Sequence, residues 1–317
     1  MSLTLTRTRS LALLAGAAAV CVPTSRAQAQ TTTLRIANVP VETAADAYYA
    51  QDMGFFAKAG FDVALEPIQN GAAIVAAVVS GAIDIGWAAV DVLAAVHGKN
   101  VPVTIIAPSG DYLFPTTERV SAILLPASSP AQRARDLNGK IVAVTGLNNV
   151  QVTITRAWID KNGGDSSTLK FIEIPLPAMP AALGAGRVDA ARVSEPFIGV
   201  ALKNGSRVLA YGGDAISKHY LIGAWFTTLQ WAKNQPDVVS RFAAVIHGAA
   251  VWANANPAQS AEILAKYVKI DPTVIATMAR GHFAEQLTPA LAQPLIDAAA
   301  KYNGFNAFPA SDLIYRL

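Results

Sequence analysis

Residues 70–98, NGAAIVAAVVSGAIDIGWAAVDVLAAVHG, leave this chain few folds to choose from. Small apolar residues run from Ala72 to Val79 and stop at Gly81. A five-residue apolar strand follows at 83–87, and a second small-residue run after Asp91 stops at Gly98. Asn70 and Asp91 carry oxygens suited to the free N–H groups of a helix's first turn, and glycine is a common helix stop. Alanine and valine let such helices lie close against a sheet. The stretch therefore reads as helix, buried strand, helix, which is the repeating unit of an α/β layer.

The same alternation runs through most of the chain. Strands are expected at 34–37, 63–67, 83–87, 103–107, 121–125, 141–144, 171–174, 190–193 and 207–211. Helices are expected at 43–59, 72–80, 92–97, 150–162 and 180–185, so open sheets of mostly parallel strands follow. Beyond Tyr220 the segment HYLIGAWFTTL reads as one strand. Helices at 236–254, 257–267, 272–279 and 289–303 come next, each opening near a proline, with Asp271 and Thr288 as caps. This last third reads as helical packing around a sheet already formed.

The N-terminus is of another kind. Arg7 and Arg9 precede an apolar stretch at 11–22, and Ala27-Gln28-Ala29 follows as a small-x-small site. This is the three-part pattern of a secretory signal at 1–29. About a dozen apolar residues fall short of the roughly 20 needed to span a bilayer. A lipid anchor at Cys21 is not expected, because Val20 is bulkier than the small residue usual before a lipidated cysteine. Removal of 1–29 takes away Arg7, Arg9 and Arg26 and lowers the formal charge from +3 to zero. It also removes the one cysteine. The exported chain would have no disulfide, no thiolate metal site and no cysteine nucleophile, and its charge is no argument for a nucleic-acid partner.

DMGFFAKAGFDVALEPIQNGAAIVAAVVSGAIDIGWAAV, at 52–90, resembles the first-lobe segment of nitrate/sulfonate/taurine-type solute-binding proteins of ABC importers. That group includes the pyrimidine- and riboflavin-precursor binders related to thiamine biosynthesis proteins. ARDLNGKIVAV at 134–144 and GRVDAARVSEPF at 186–197 resemble its second-lobe pattern. The resemblance implies a type II periplasmic-binding fold: two α/β lobes joined by two crossing strands, with solute held in the cleft between them. The crossings are expected near 116–118 and 211–214. That gives one lobe at 30–116 plus 215–317 and the other at 117–214.

Ligands of open α/β sheets bind beyond the strands' C-terminal ends, so the contacts are sought there. Pro40, Val41, Glu42 and Thr43 follow the first strand. Glu42 would take a cationic or hydroxyl group, or else serve as a helix N-terminal carboxylate. Asn70 would bond solute while capping its helix, and Trp87, beside Ala88, would stack on a ring or fill the core. Asp91 reads as a cap. Ser109 and Tyr112 follow the fourth strand, and Asn148 and Asn149 open a helix in the second lobe. Glu195 matches a position that often faces solute in the family; its competing role is to start the next helix. Tyr220 and Trp225 are weaker candidates. Arg192 is the one cation in these loops, so with Glu42 and Glu195 nearby a neutral or amine-bearing heteroaromatic solute stands beside a sulfonate.

Catalysis finds little support. His97, His219, His247 and His282 are widely spaced, with no HExxH, and His97 and His282 read as helix-end residues beside glycine. No GxSxG, P-loop or GxGxxG falls at a strand–helix junction. The expectation is a monomeric periplasmic protein, not an enzyme, without cofactor or metal, that hands a small solute to an inner-membrane ABC permease. The alternative is an exported enzyme or sensor on the same scaffold.

Overall fold

The computed structural model describes residues 1–2 and 31–316. The expected signal at 1–29, with Cys21, lies outside the described residues but for its first two. The described chain begins with β1 (Thr32–Asn38), a 3-10 turn at Glu42–Ala44, α1 (Asp46–Asp52) and α2 (Phe55–Lys58). Then come β2 (Phe61–Pro67), α3 (Gly71–Val79), β3 (Ile85–Ala89), α4 (Val90–His97) and β4 (Val103–Pro108). After β5 (Gly110–Leu113) the chain builds a second sheet from β6 (Ser121–Leu125), β7 (Ile141–Val144), α5 (Val150–Lys161) and β8 (Lys170–Glu173). To these it adds α6 (Met179–Gly184), β9 (Ala190–Ser194), α7 (Phe197–Lys203) and β10 (Arg207–Ala210). It returns through β11 (His219–Leu221) to β12 (Gly223–Thr228), α8 (Leu229–Asn234) and α9 (Pro236–Ala255). The last elements are α10 (Pro257–Val268), α11 (Pro272–Thr277), β13 (His282–Phe283) and α12 (Pro289–Asn303).

Two five-stranded sheets result, ordered β2-β1-β3-β12-β4 and β10-β6-β9-β7-β8. In each, four of the five strands run in one direction, as expected of mostly parallel sheets, and one runs against them. The β1–β2, β1–β3, β7–β8 and β7–β9 pairs are parallel, but β12 runs antiparallel to β3 and β4, and β6 antiparallel to β9 and β10. The reason is topological: β12 and β6 each enter their sheet from a crossing between sheets and not from a covering helix. The small antiparallel sheet β11-β5-β13 holds the two crossings side by side. This corrects the reading of HYLIGAWFTTL as one strand, because Tyr220 and Leu221 pair with β5 while Gly223 onward pairs with β3 and β4.

Local signals account for most helix limits. Asn70 Oδ1 accepts from Ala73 N at 2.9 Å, and Asp271 and Thr288 cap α11 and α12 as expected. The helix expected over 43–59 is instead a 3-10 turn and two short helices, broken at Gly54 with φ +69°. The third strand begins two residues late because Asp84 is committed to Arg35, accepting from its backbone N at 2.8 Å and from its Nη2 at 2.6 Å. Along α9, buried Val238, Phe242, Val245, Ile246, Ala249 and Ala253 recur at three- and four-residue steps, so its apolar length serves a core face.

Candidate functional site

The C-terminal ends of β1, β3, β7 and β9 and the start of β6 converge on one cavity of about 90 Å³. Val39, Val41 and Thr43 follow β1, Gln69, Asn70 and Gly71 lead into α3, and Trp87 and Ala89 end β3. Across the gap stand Ser121 of β6, Thr145, Asn149 and Gln151 around the start of α5, and Arg192 and Ser194 of β9. Val92, Val150, Ile154, Leu176 and Ile222 close the rest with apolar surface. Among the described residues, no carboxylate belongs to this lining.

The polar groups differ in how far they are committed. Asn149 is fully used: Oδ1 accepts from Gln151 N at 3.1 Å and Val152 N at 3.4 Å, and Nδ2 donates to Thr145 Oγ1 at 2.7 Å. Gln151 Oε1 accepts from Thr145 N at 2.7 Å, which leaves its amide N–H groups for the cavity. Arg192 is 1% exposed. Its Nε donates to Ser121 Oγ at 3.0 Å, and its Nη1 has no partner among the described residues. Trp87 Nε1 on the opposite wall is buried and also unpartnered.

Burial pushes Arg192 down to about 10, with the nearby Tyr220 and Tyr112 offsetting part of the effect, so the guanidinium stays charged at neutral pH. Unpaired buried donors and charges are costly, and they recur where a ligand completes them. Two glycines set this geometry. A Cβ on Gly223 would lie 2.1 Å from Trp87 Cζ2, so only glycine lets the indole lie flat on β12. A Cβ on Gly71 would meet Ala88 Cβ at 3.2 Å, which explains the small residue at 88 and the close approach of α3.

Of the residues expected at the site, Val41, Asn70, Trp87 and Asn149 line the cavity, as does Thr43. Glu42 does not. Its Oε1 accepts from Arg280 Nε at 2.8 Å and from Gly281 N at 3.0 Å, though burial raises its pKa more than Arg280 lowers it. Glu195 is held by the backbone amides of Ala279 and Gly199, outside the lining. Ala88 and Ser109 are interior, Ser109 Oγ donating to Thr43 O at 3.1 Å. Tyr112 stacks on Tyr220 at 5.1 Å between the crossings, and exposed Asn148 borders a neighbouring groove with Lys99 and Asn303.

Asp91 is not a cap. Helix α4 begins at Val90, and the Asp91 carboxyl accepts from Thr153 Oγ1 of α5 at 2.9 Å, with burial pushing it up to about 7. Trp225 is a core residue whose Nε1 donates to Asp46. His282 is not at a helix end: it lies in β13 and shares buried Asp111 with His219, at 2.7 and 2.8 Å. The residues missed are Arg192 as a wall of the site, Gln151, Thr145, Ser121 and the apolar lining. A lone arginine in an otherwise apolar strand, AARVS, was the available signal.

Several comparisons bear on this architecture. The alkanesulfonate-binding protein SsuA of Xanthomonas axonopodis pv. citri, bound to MOPS, superposes with a TM-score of 0.74 at 18% identity, over 91% of this chain and 99% of that one. The periplasmic aliphatic sulphonate-binding protein SsuA of Escherichia coli gives 0.70 at 18% identity, over 90% and 92%. The periplasmic nitrate-binding protein NrtA of Synechocystis PCC 6803 gives 0.66 at 18% identity, over 78% and 69%. These likenesses show a shared two-lobed periplasmic-binding fold. A Brucella abortus protein named only as a candidate binding protein is 25% identical over 253 residues, covering 77% of this chain and 76% of its own. The NMT1/THI5-like family profile matches residues 42–260, well over half of the sequence, and the chain belongs to that family.

Proposed function

We propose that this protein is the periplasmic solute-binding component of an ABC importer, and that its solute is a compact organic anion whose charged end meets Arg192. The carrying observation is that a buried arginine lines the cavity, with Nη1 unpartnered among the described residues and no carboxylate in the described lining. The unpartnered Trp87 Nε1 and the free amide of Gln151 supply further donors, and the valines, Ile154, Leu176 and Ile222 suit a short alkyl or aryl body. The amine-bearing solute entertained from the sequence loses its support, because the carboxylates that suggested it, Glu42 and Glu195, are engaged elsewhere.

In this reading one lobe spans 30–116 and 215–317, the other spans 117–214, and the protein works as a monomer. Solute favours the closed state because only that state contacts it from both lobes. Nothing in the lining pairs a nucleophile with a histidine base, which supports capture without turnover. The test is a thermal-shift and calorimetric panel of ethanesulfonate, benzenesulfonate, taurine, short carboxylates and nitrate against neutral pyrimidines and amines. Micromolar binding, about −8 kcal/mol, is expected for one of the organic anions and is lost in Arg192→Gln. Stabilisation by the neutral or amine compounds alone, or conversion of a bound anion, would reject the proposal.

A further inference from the structure

Three side-chain amides border the cavity, and backbone N–H groups fix which way each one faces. Asn70 Oδ1 accepts from Ala73 N at 2.9 Å, and Gln151 Oε1 accepts from Thr145 N at 2.7 Å. Asn149 Oδ1 accepts from both Gln151 N and Val152 N. A backbone N–H can only donate, so the atom opposite it is the amide oxygen, and turning any of the three would set donor against donor. The NH2 groups of Asn70 and Gln151 are left without partners among the described residues. That of Asn149 donates to Thr145 Oγ1 at 2.7 Å, so the Thr145 hydroxyl accepts there and has its own hydrogen to give.

The cavity is therefore rich in donors and short of acceptors. Arg192 Nη1 and Trp87 Nε1 add two more unpartnered N–H groups, both buried. Ser121 Oγ accepts from Arg192 Nε and donates to Val193 O, so it has nothing to give a solute. What remains to accept is a second lone pair on the tethered oxygens of Asn70 and Gln151, other hydroxyl oxygens and the exposed amide of Gln69, none of them charged. An oxyanion with every oxygen bare can take bonds from these donors. One that keeps an acidic O–H brings a donor best met by a carboxylate, which the described lining lacks, and a buried O–H left unmet costs affinity.

We propose that this donor array is a proton filter: the site takes fully ionised oxyanions and rejects head groups of the same shape and charge that keep an acidic proton. Asn70, Thr145 and Gln151 set the preference. The filter depends on the anion site proposed above and adds which anions enter it. Tethering is what makes it selective, because an untethered amide would turn its oxygen toward the proton and satisfy it. Asn149 is a positioning residue, since its NH2 occupies one lone pair of the Thr145 hydroxyl and directs that hydroxyl to donate elsewhere.

The test is calorimetric titration of the exported chain with ethanesulfonate and with ethylphosphonate at about pH 5. A phosphoryl-type group keeps its last proton below about pH 6, so both compounds are then monoanions and differ chiefly by one O–H. Every protein group is in the same state in both titrations, so no titration within the protein enters the ratio. Ethanesulfonate is expected to bind tighter by at least about tenfold, and by up to about a hundredfold, the cost of one unmet buried O–H. Gln151→Glu supplies a charged acceptor. Its charge opposes both monoanions alike, so the ratio isolates the proton, and the preference should shrink at least about tenfold. A smaller preference than tenfold in the unaltered chain, or an unchanged ratio in a folded Gln151→Glu protein, overturns the filter and leaves the anion site standing. Failure of these two and every other anion to bind rejects the site and the filter together.

Discussion

Replacing Arg192 by methionine should make the solute-free protein more stable and leave it unable to hold an anion. Arg192 is buried, has no carboxylate partner, and is pushed from the ordinary guanidinium range to about 10, mainly by loss of water. At about 1.4 kcal/mol for each tenfold change in acidity constant, holding the charge there costs about 3 kcal/mol. The cost is present at all pH values below about 10 and diminishes only above it. Methionine keeps the unbranched stem and removes the charge. Ser121 Oγ remains satisfied, since it donates to Val193 O at 3.3 Å. The gain in urea unfolding free energy should therefore be about 1–3 kcal/mol, part being offset by the smaller side chain. Anion affinity, read by calorimetry, should fall at least a hundredfold, as expected when a buried charge-assisted hydrogen bond is lost. A less stable variant that binds as before would show that Arg192 is a structural cation and would refute the reasoning.

Three further changes test neighbouring parts of the account. Trp87→Phe removes the unpartnered Nε1 donor while keeping a ring, so anion binding should weaken about tenfold, one neutral hydrogen bond's worth, with little change in melting temperature. Gly223→Ala places a methyl 2.1 Å from Trp87 Cζ2; displacement of the indole should lower stability by about 1–3 kcal/mol and shift tryptophan fluorescence, and an unchanged spectrum would contradict the packing. Asp91, raised to about 7 by burial, loses stability as pH climbs from the unfolded carboxylate range through about 7. Asp91→Asn should therefore flatten that part of the stability–pH curve, and an unaltered slope in urea titrations would count against a neutral Asp91.

What could be read from the sequence is what local chemistry decides. Asn70, Asn149, Asp271 and Thr288 cap helices where their neighbours imply, because each partner amide is two or three residues away. Long-range partners decided the rest. Glu42 looked free until Arg280, 238 positions later, appeared beside it. The break at Ile222 is invisible locally, since it depends on β5 pairing with one half of the segment and β3 with the other. Asp91 resembled a cap because helix limits are soft, and only the packing of α5 shows that its carboxyl serves Thr153. Arg192 is the only cation in the cleft loops, but strand alternation alone does not say that it lines the cavity.

The central claim is that an anion sits between the two sheets' edges against Arg192 and leaves unaltered. A crystal structure of the exported chain with the tightest-binding anion of the panel tests it most directly. The acidic oxygens should lie within hydrogen-bond distance of Arg192 Nη1, with Trp87 Nε1 or Gln151 Nε2 completing the shell. An anion bound elsewhere, or Arg192 turned to a protein carboxylate in the complex, would contradict the account.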